Sequence, residues 1–154
     1  MNYKHIRMIK KPIVAGIGEL LWDVLPSGKQ LGGAPCNFAF HAQQAGCESV
    51  VISAVGQDVL GKELVDTMTQ LGLTTDYVQV NAFPTSTVTI KLDEAGHPDY
   101  TIHEQVAWDH ILLTEQMLDV SGKLDAVCFG SLAQREEVSA NTIALLILSL
   151  NQNC

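Results

Sequence analysis

The chain has 154 residues, 47% of them hydrophobic and 17% charged, a balance that excludes disorder and is enough for one domain with a real core. Formal net charge is −8, but it is uneven: Lys4, Arg7, Lys10 and Lys11 precede Pro12, and the rest holds five basic and all seventeen acidic residues, a body of formal charge −12 that repels nucleic acid. No apolar run approaches the length of a membrane span, the longest being Ile143–Leu148, and the N-terminus carries charge without the apolar stretch of a secretory signal.

Residues 1–12 are expected to be a basic, solvated leader. "IVAGIG" (Ile13–Gly18) is a short apolar run ending in glycine, which suits a buried strand. "ELLWDVL" follows, with Pro26, Ser27 and Gly28 as a turn. From Ala34 the pattern is helical; Pro35 fits a first turn, where its missing N–H costs nothing, and Gly46 is a natural C-terminal cap. "SVVISAVG" (Ser49–Gly56) is a second buried-strand candidate. Asp58 is placed to cap a helix in which Leu60, Leu64, Met68 and Leu71 share one face, and Gly72 ends it. This strand–helix alternation predicts a parallel α/β sheet covered on both faces.

The middle of the chain changes character. "TSTVTIKLD" and "PDYTIHE" flank "EAG" (Glu94–Gly96) and are rich in β-branched residues, which predicts a hairpin with one wet and one covered face. "LDAVCFG" (Leu124–Gly130) returns to the buried-strand type. From about Arg135 to Leu150 the chain is helical, with Ile143, Leu146, Ile147 and Leu150 on one stripe. A further strand is expected after such a helix. Cys36, Cys47, Cys128 and Cys154 form no CxxC pair and no metal-ligand spacing with the scattered histidines, so they read as free, mostly buried thiols in a reducing compartment.

Two glycine motifs invite a phosphate reading. "GIGELL" (Gly16–Leu21) has Leu21 where a dinucleotide fingerprint needs its third glycine, and "GGAPCN" (Gly32–Asn37) lacks the GK[ST] ending of a P-loop. A turn followed by a helix start accounts for one glycine and Pro35, but not for the second glycine or Asn37. Adjacent glycines permit close backbone approach, and Asn37 offers both donor and acceptor, which suits a hydroxyl. Asp23 follows the first strand, near the end of the sheet where α/β ligands bind; taken alone it reads equally as a solvated carboxylate. With the glycine pair and Asn37, it would make a clamp for a neutral polyol.

Together these motifs resemble the amino-terminal half of a PfkB-type, ribokinase-like sugar kinase, nearest its fructokinase branch. "GIGELLWDVLP" resembles the opening strand and substrate segment. "GGAPCNFAFHAQQAG" resembles the first family signature, and "VGQDVLG" the family's VG-x-D-x-x-G. "LGLTTDYV" resembles the segment preceding the lid hairpin. "AWD" (Ala107–Asp109), within "PTSTVTIKLDEAGHPDYTIHEQVAWD", and "FGSLAQR" (Phe129–Arg135) resemble the fructokinase branch. Trp22 departs from the smaller apolar residue usual before the aspartate and is expected to alter the pocket's shape.

The resemblance implies a three-layer αβα sheet with a small β-lid built from strands around 20–31 and 87–103, residues 13–154 being the amino-terminal part of a single sugar-kinase domain. It implies that Asp23, Gly33 and Asn37 contact sugar hydroxyls, with Gly32 shaping the turn, and that Asp58 is a structural cap rather than a catalytic base. No GAGD-like motif occurs after Gly130, so the catalytic base, the anion hole and most of the ATP pocket are expected in a carboxyl-terminal part of the fold that the chain lacks. ATP and Mg2+ are then expected of the complete enzyme, not of this chain alone, which is expected to be inactive, since phosphoryl transfer depends on positioning and charge neutralisation. A cytoplasmic protein, a sugar substrate (fructose first) and a homodimer through the lid or an exposed sheet edge complete the expectations. Two alternatives stand beside them: a non-catalytic sugar-binding or oligomerising remnant of the same fold, and an unrelated nucleotide-binding α/β domain.

Overall fold

The computed structural model describes residues 10–92 and 98–150. Most of the expected basic leader, the turn at Glu94–Gly96 and Cys154 lie outside the described residues. In chain order the regular elements are β1 (Ile13–Ile17), β2 (Leu21–Leu25), β3 (Gly28–Gly32), α1 (Ala34–Gln44), β4 (Glu48–Gly56), α2 (Val59–Gln70), β5 (Val78–Asn81), β6 (Ser86–Leu92), β7 (Pro98–Ile102), α3 (Glu115–Ser121), β8 (Ala126–Phe129) and α4 (Glu137–Ser149). Short 3-10 turns at Ala107–His110 and Leu132–Gln134 precede α3 and α4.

Four strands form the parallel sheet, in the order β5-β4-β1-β8. The unbroken apolar run of β4 is what burial on both faces requires, and successive side chains divide between two layers. Val50, Ile52 and Ala54 join Trp108, Met117, Ile143 and Leu146 on one face. Val51 and Val55 join Cys36, Ala39, Leu64 and Met68 on the other. Each fully buried Val, Ile, Leu or Met contributes roughly 1.5–3 kcal/mol, so these two layers carry the fold.

Local chemistry sets the helix ends. Pro35 stands in the first turn of α1, and the chain leaves that helix through Gly46 at φ 96°. Asp58 caps α2, and the Thr114 hydroxyl caps α3 by accepting from the Met117 N–H at 3.2 Å. On α4, Ile143 and Leu146 are buried and Ile147 and Leu150 pack partly buried on the same cluster, while Leu145 and Leu148 are exposed.

Two expectations are corrected. Leu124–Gly130 was to be a buried strand, yet β8 is an edge strand whose Ala126 and Phe129 are exposed, Phe129 by 46%. It pairs with β1 and with no other strand among the described residues, so an apolar composition suited to a central strand sits at the rim. Of the described cysteines, all free, Cys36 alone is buried; Cys47 and Cys128 are half-buried.

A second sheet has the strand order β3-β2-β6-β7. β2 and β3 are antiparallel, β2 and β6 parallel, and β6 and β7 antiparallel, the last two forming the expected hairpin. Ser86 and Val88 are buried while Thr87 and Thr89 are half-exposed, which is the expected alternation.

Candidate functional site

The end of β1 meets the N-terminus of α1, and four residues singled out from the sequence gather there. In the β2–β3 pair, Leu21 opposes Gly32 and Asp23 opposes Gln30. The Asp23 carboxylate lies against Gly32 so closely that any side chain at position 32 would overlap Asp23 Oδ2. Gly33 is the N-cap of α1 at φ 105°, a conformation that disfavours L side chains, and a Cβ there would collide with the Glu19 carbonyl oxygen. Asn37 donates its N–H to the Gly33 carbonyl at 2.9 Å and stands exposed on the first turn.

Among the described residues no side chain or N–H is hydrogen-bonded to the Asp23 carboxylate. Partial burial raises its pKa above the ordinary value. The result is a partly desolvated acceptor set against a bare glycine and the opening turn of a helix. Trp22 packs in the opposite direction. It belongs to the cluster with Leu64 and Met68, and its indole N–H donates to the Leu60 carbonyl at 3.1 Å.

Sequence reasoning missed Glu19. It is 6% exposed, and its Oε1 accepts the Ala133 N–H at 3.1 Å. Its carboxylate fills the space that a side chain at Gly130 would need, and Oε2 has no partner among the described residues. It ties the turn after β1 to the turn after β8.

Asp58 has the capping role expected of it. Its Oδ1 accepts the Gly61 N–H at 2.7 Å and the Thr85 hydroxyl at 2.7 Å, and Oδ2 accepts the Thr85 N–H at 2.8 Å. The Thr85 hydroxyl oxygen also accepts the Gly56 N–H at 2.8 Å. Desolvation pushes the Asp58 carboxyl up, but the hydrogen bonds from Thr85 and Gly61 outweigh it and hold the pKa below the ordinary value. "VGQDVLG" is therefore a knot joining β4, α2 and the residue before β6. A cavity of about 400 Å3 opens beside it, lined by Val55, Lys62, Val65 and Val80 among others, and Asp23, Gly32, Gly33 and Asn37 are not among its lining residues.

The two segments "AWD" and "FGSLAQR" meet in space. Arg135 donates from Nε to Asp109 Oδ1 at 2.8 Å and from Nη2 to Asp109 Oδ2 at 2.7 Å, and Nη2 also reaches the His103 carbonyl at 2.6 Å. Its guanidinium lies over the Trp108 ring at 4.3 Å. Asp109 is fully buried, and Arg135 is held strongly protonated by it. The signal was present in the sequence, since Arg135 is the only arginine after Pro12.

The pfkB family carbohydrate kinase profile matches residues 23–145, and the chain belongs to that family. It is 31% identical over 133 residues to a fructokinase from Klebsiella pneumoniae, covering 82% of this chain and 43% of the relative. It is 26% identical over 157 residues to an ATP-dependent 6-phosphofructokinase from Thermoanaerobacterium thermosaccharolyticum, covering 95% and 48%. The crystal structure of a sugar kinase from Pyrococcus horikoshii in complex with ATP superposes with a TM-score of 0.74 at 27% identity, covering 88% of this chain and 48% of that one. The fold is thus the ribokinase-like α/β fold, and the chain spans about half the length of the curated relatives it matches.

Proposed function

We propose that this chain carries the acceptor-sugar half of an ATP-dependent carbohydrate kinase, with fructose as the sugar. The observation that carries the proposal is the Asp23 carboxylate, partly desolvated, without a hydrogen-bond partner among the described residues, and set against Gly32. A carboxylate in that state gains by accepting from two adjacent hydroxyls, which a polyol supplies. Gly32 leaves room for the Asp23 carboxylate against the strand, Gly33 turns the backbone into α1, and Asn37 adds a donor and an acceptor. The sheet β3-β2-β6-β7 serves as the lid over this site.

The choice of fructose is supported by the fructokinase relative and by the two segments joined through Arg135 and Asp109. A neutral sugar also suits the charge distribution better than a sugar phosphate. Lys29, on the strand beside Asp23, is paired with Glu63, and Arg135 with Asp109, so neither cation is left for a phosphate.

ATP is the donor assigned to the longer protein, as the complex of the Pyrococcus horikoshii relative supports, and Mg2+ is its metal. Among the described residues no group of three or more His, Cys, Asp or Glu side chains is able to hold a metal ion. The residues of this chain bind and orient the acceptor, and the chain alone does not turn over. No helix among the described residues is long and apolar enough to cross a membrane. The compartment proposed is the cytoplasm, whose reducing conditions suit the free thiols of Cys36, Cys47 and Cys128. Self-association is assigned to the lid or to the open β8 edge.

Calorimetric titration of the 154-residue chain with fructose, ribose and fructose 6-phosphate tests the proposal. Fructose is expected to bind, and Asp23→Ala to weaken it by about tenfold or more, the loss of a charge-assisted hydrogen bond. A folded chain that binds none of the three overturns it.

A further inference from the structure

We infer that Arg135 is a positioning residue for the acceptor site, acting through the root of the β6–β7 hairpin on the placement of Asp23. The inference rests on the sugar-site proposal above and adds a residue that the clamp itself does not include.

The strand register carries the connection. Asp23 pairs with Val88 on β6, and Val88 pairs with Ile102 on β7. The next residue along the chain is His103, whose carbonyl accepts from Arg135 Nη2. Asp23, Val88 and Ile102 therefore form one row across the second sheet, and Arg135 holds the end of that row.

Both roots of the hairpin converge on one turn. On the upstream side, the Pro84 carbonyl accepts the Ala107 N–H at 2.9 Å. Ala107 opens the 3-10 turn that carries Asp109, the carboxylate gripped by Arg135. On the downstream side, Gln105 sits at φ 54°, a left-handed backbone unusual for a residue with a side chain. It is kept there by its own bond to Glu136 Oε1 at 2.9 Å and by the Val106 N–H on Asp109 Oδ2 at 3.1 Å. A strained link persists only where its surroundings over-determine it, and here the surroundings are Asp109 and the segment that begins at Arg135.

The chemistry demands arginine in particular. Asp109 is fully buried and uses both oxygens, so its partner must supply two parallel donors. A guanidinium does so while also stacking on Trp108 and reaching a third acceptor, whereas a lysine ammonium is a single point charge. Trp108 keeps other anchors: its carbonyl accepts the Ser139 hydroxyl at 2.8 Å, and its ring is buried in the main core. Loss of the fork is therefore expected to loosen the hairpin root rather than the parallel sheet.

The test compares Arg135→Lys with the wild-type 154-residue chain by hydrogen–deuterium exchange and by fructose titration. Exchange is expected to rise by about tenfold or more in the amides of β2, β6 and β7 while β1 and β4 keep wild-type rates, and fructose Kd to rise by about tenfold. Wild-type exchange in β2, β6 and β7 overturns the inference, as does uniform acceleration that includes β1 and β4, or an unchanged Kd in a variant with a loosened hairpin. Should the wild-type chain bind no fructose, the sugar-site proposal fails by itself and the exchange pattern alone decides the role of Arg135. Should Arg135→Lys not fold, Asp109→Asn, which weakens the same fork, is read by the same two measurements.

Discussion

Removing the Asp58 carboxylate should cost far more than an exposed side chain normally does. Asp58→Ala deletes three hydrogen bonds at once, from the Gly61 N–H, the Thr85 N–H and the Thr85 hydroxyl. An N-cap is worth about 1 kcal/mol, and two further charge-assisted bonds add about 1.5–3 kcal/mol at partly exposed positions where water replaces some of the loss. The expected total is about 2.5–4 kcal/mol, a large fraction of the roughly 5–15 kcal/mol that holds a domain together. Urea unfolding at pH 7 measures it. The pH dependence then identifies the cause. The folded-state pKa of Asp58 is depressed, so its contribution is complete above the unfolded carboxylate pKa and fades as pH falls through the folded value. The gap between wild type and variant should be full at about pH 6 and narrow steadily below the ordinary aspartate range. A gap below about 0.5 kcal/mol, or one that stays constant down to strongly acidic pH, would refute the knot as drawn.

Two further substitutions probe the site itself. Asp23 has its pKa raised by burial, so its charge opposes folding as pH rises through the folded value; Asp23→Asn should stabilise the unliganded chain near neutrality, with the gain vanishing below the ordinary aspartate pKa, while weakening fructose binding, and thermal melts at two pH values with a titration check both halves. Gly130→Ala drives a methyl into the Glu19 carboxylate and should cost about 1–3 kcal/mol, most of it recovered in a Glu19→Ala background; an equal cost in both backgrounds, measured by a double-mutant cycle, refutes the contact.

The parallel sheet was legible because its strands are near-continuous apolar runs punctuated by glycines, and α2 because its apolar spacing and its capping aspartate agree. The edge position of β8 was not. An apolar strand looks the same in sequence whether it is central or at the rim, since composition reports what a strand tolerates and not what lies beside it. The proximity of Asp23, Gly32, Gly33 and Asn37 was legible: the last three are neighbours in sequence, and Asp23 reaches Gly32 through a tight hairpin. Glu19 was hidden because its acceptor role depends on Ala133, 114 positions away. Likewise "AWD" and "FGSLAQR" stood out as separate resemblances, while the fork that joins them across 26 positions is a property of the folded chain.

The parallel pairing of β2 with β6 has a consequence for how the molecule is made. Antiparallel neighbours close with a short turn, but Leu21–Val24 and Ser86–Thr89 come together only after α1, β4, α2 and β5 have been laid down between them. On a ribosome, Asp23 emerges early and waits for its neighbouring strand until the hairpin has been synthesised. During that interval β2 has only β3 beside it, and an isolated two-stranded ribbon is marginal in water. The surroundings of Asp23 are therefore among the last parts of this chain to acquire their shape, although Asp23 itself is translated well before β6.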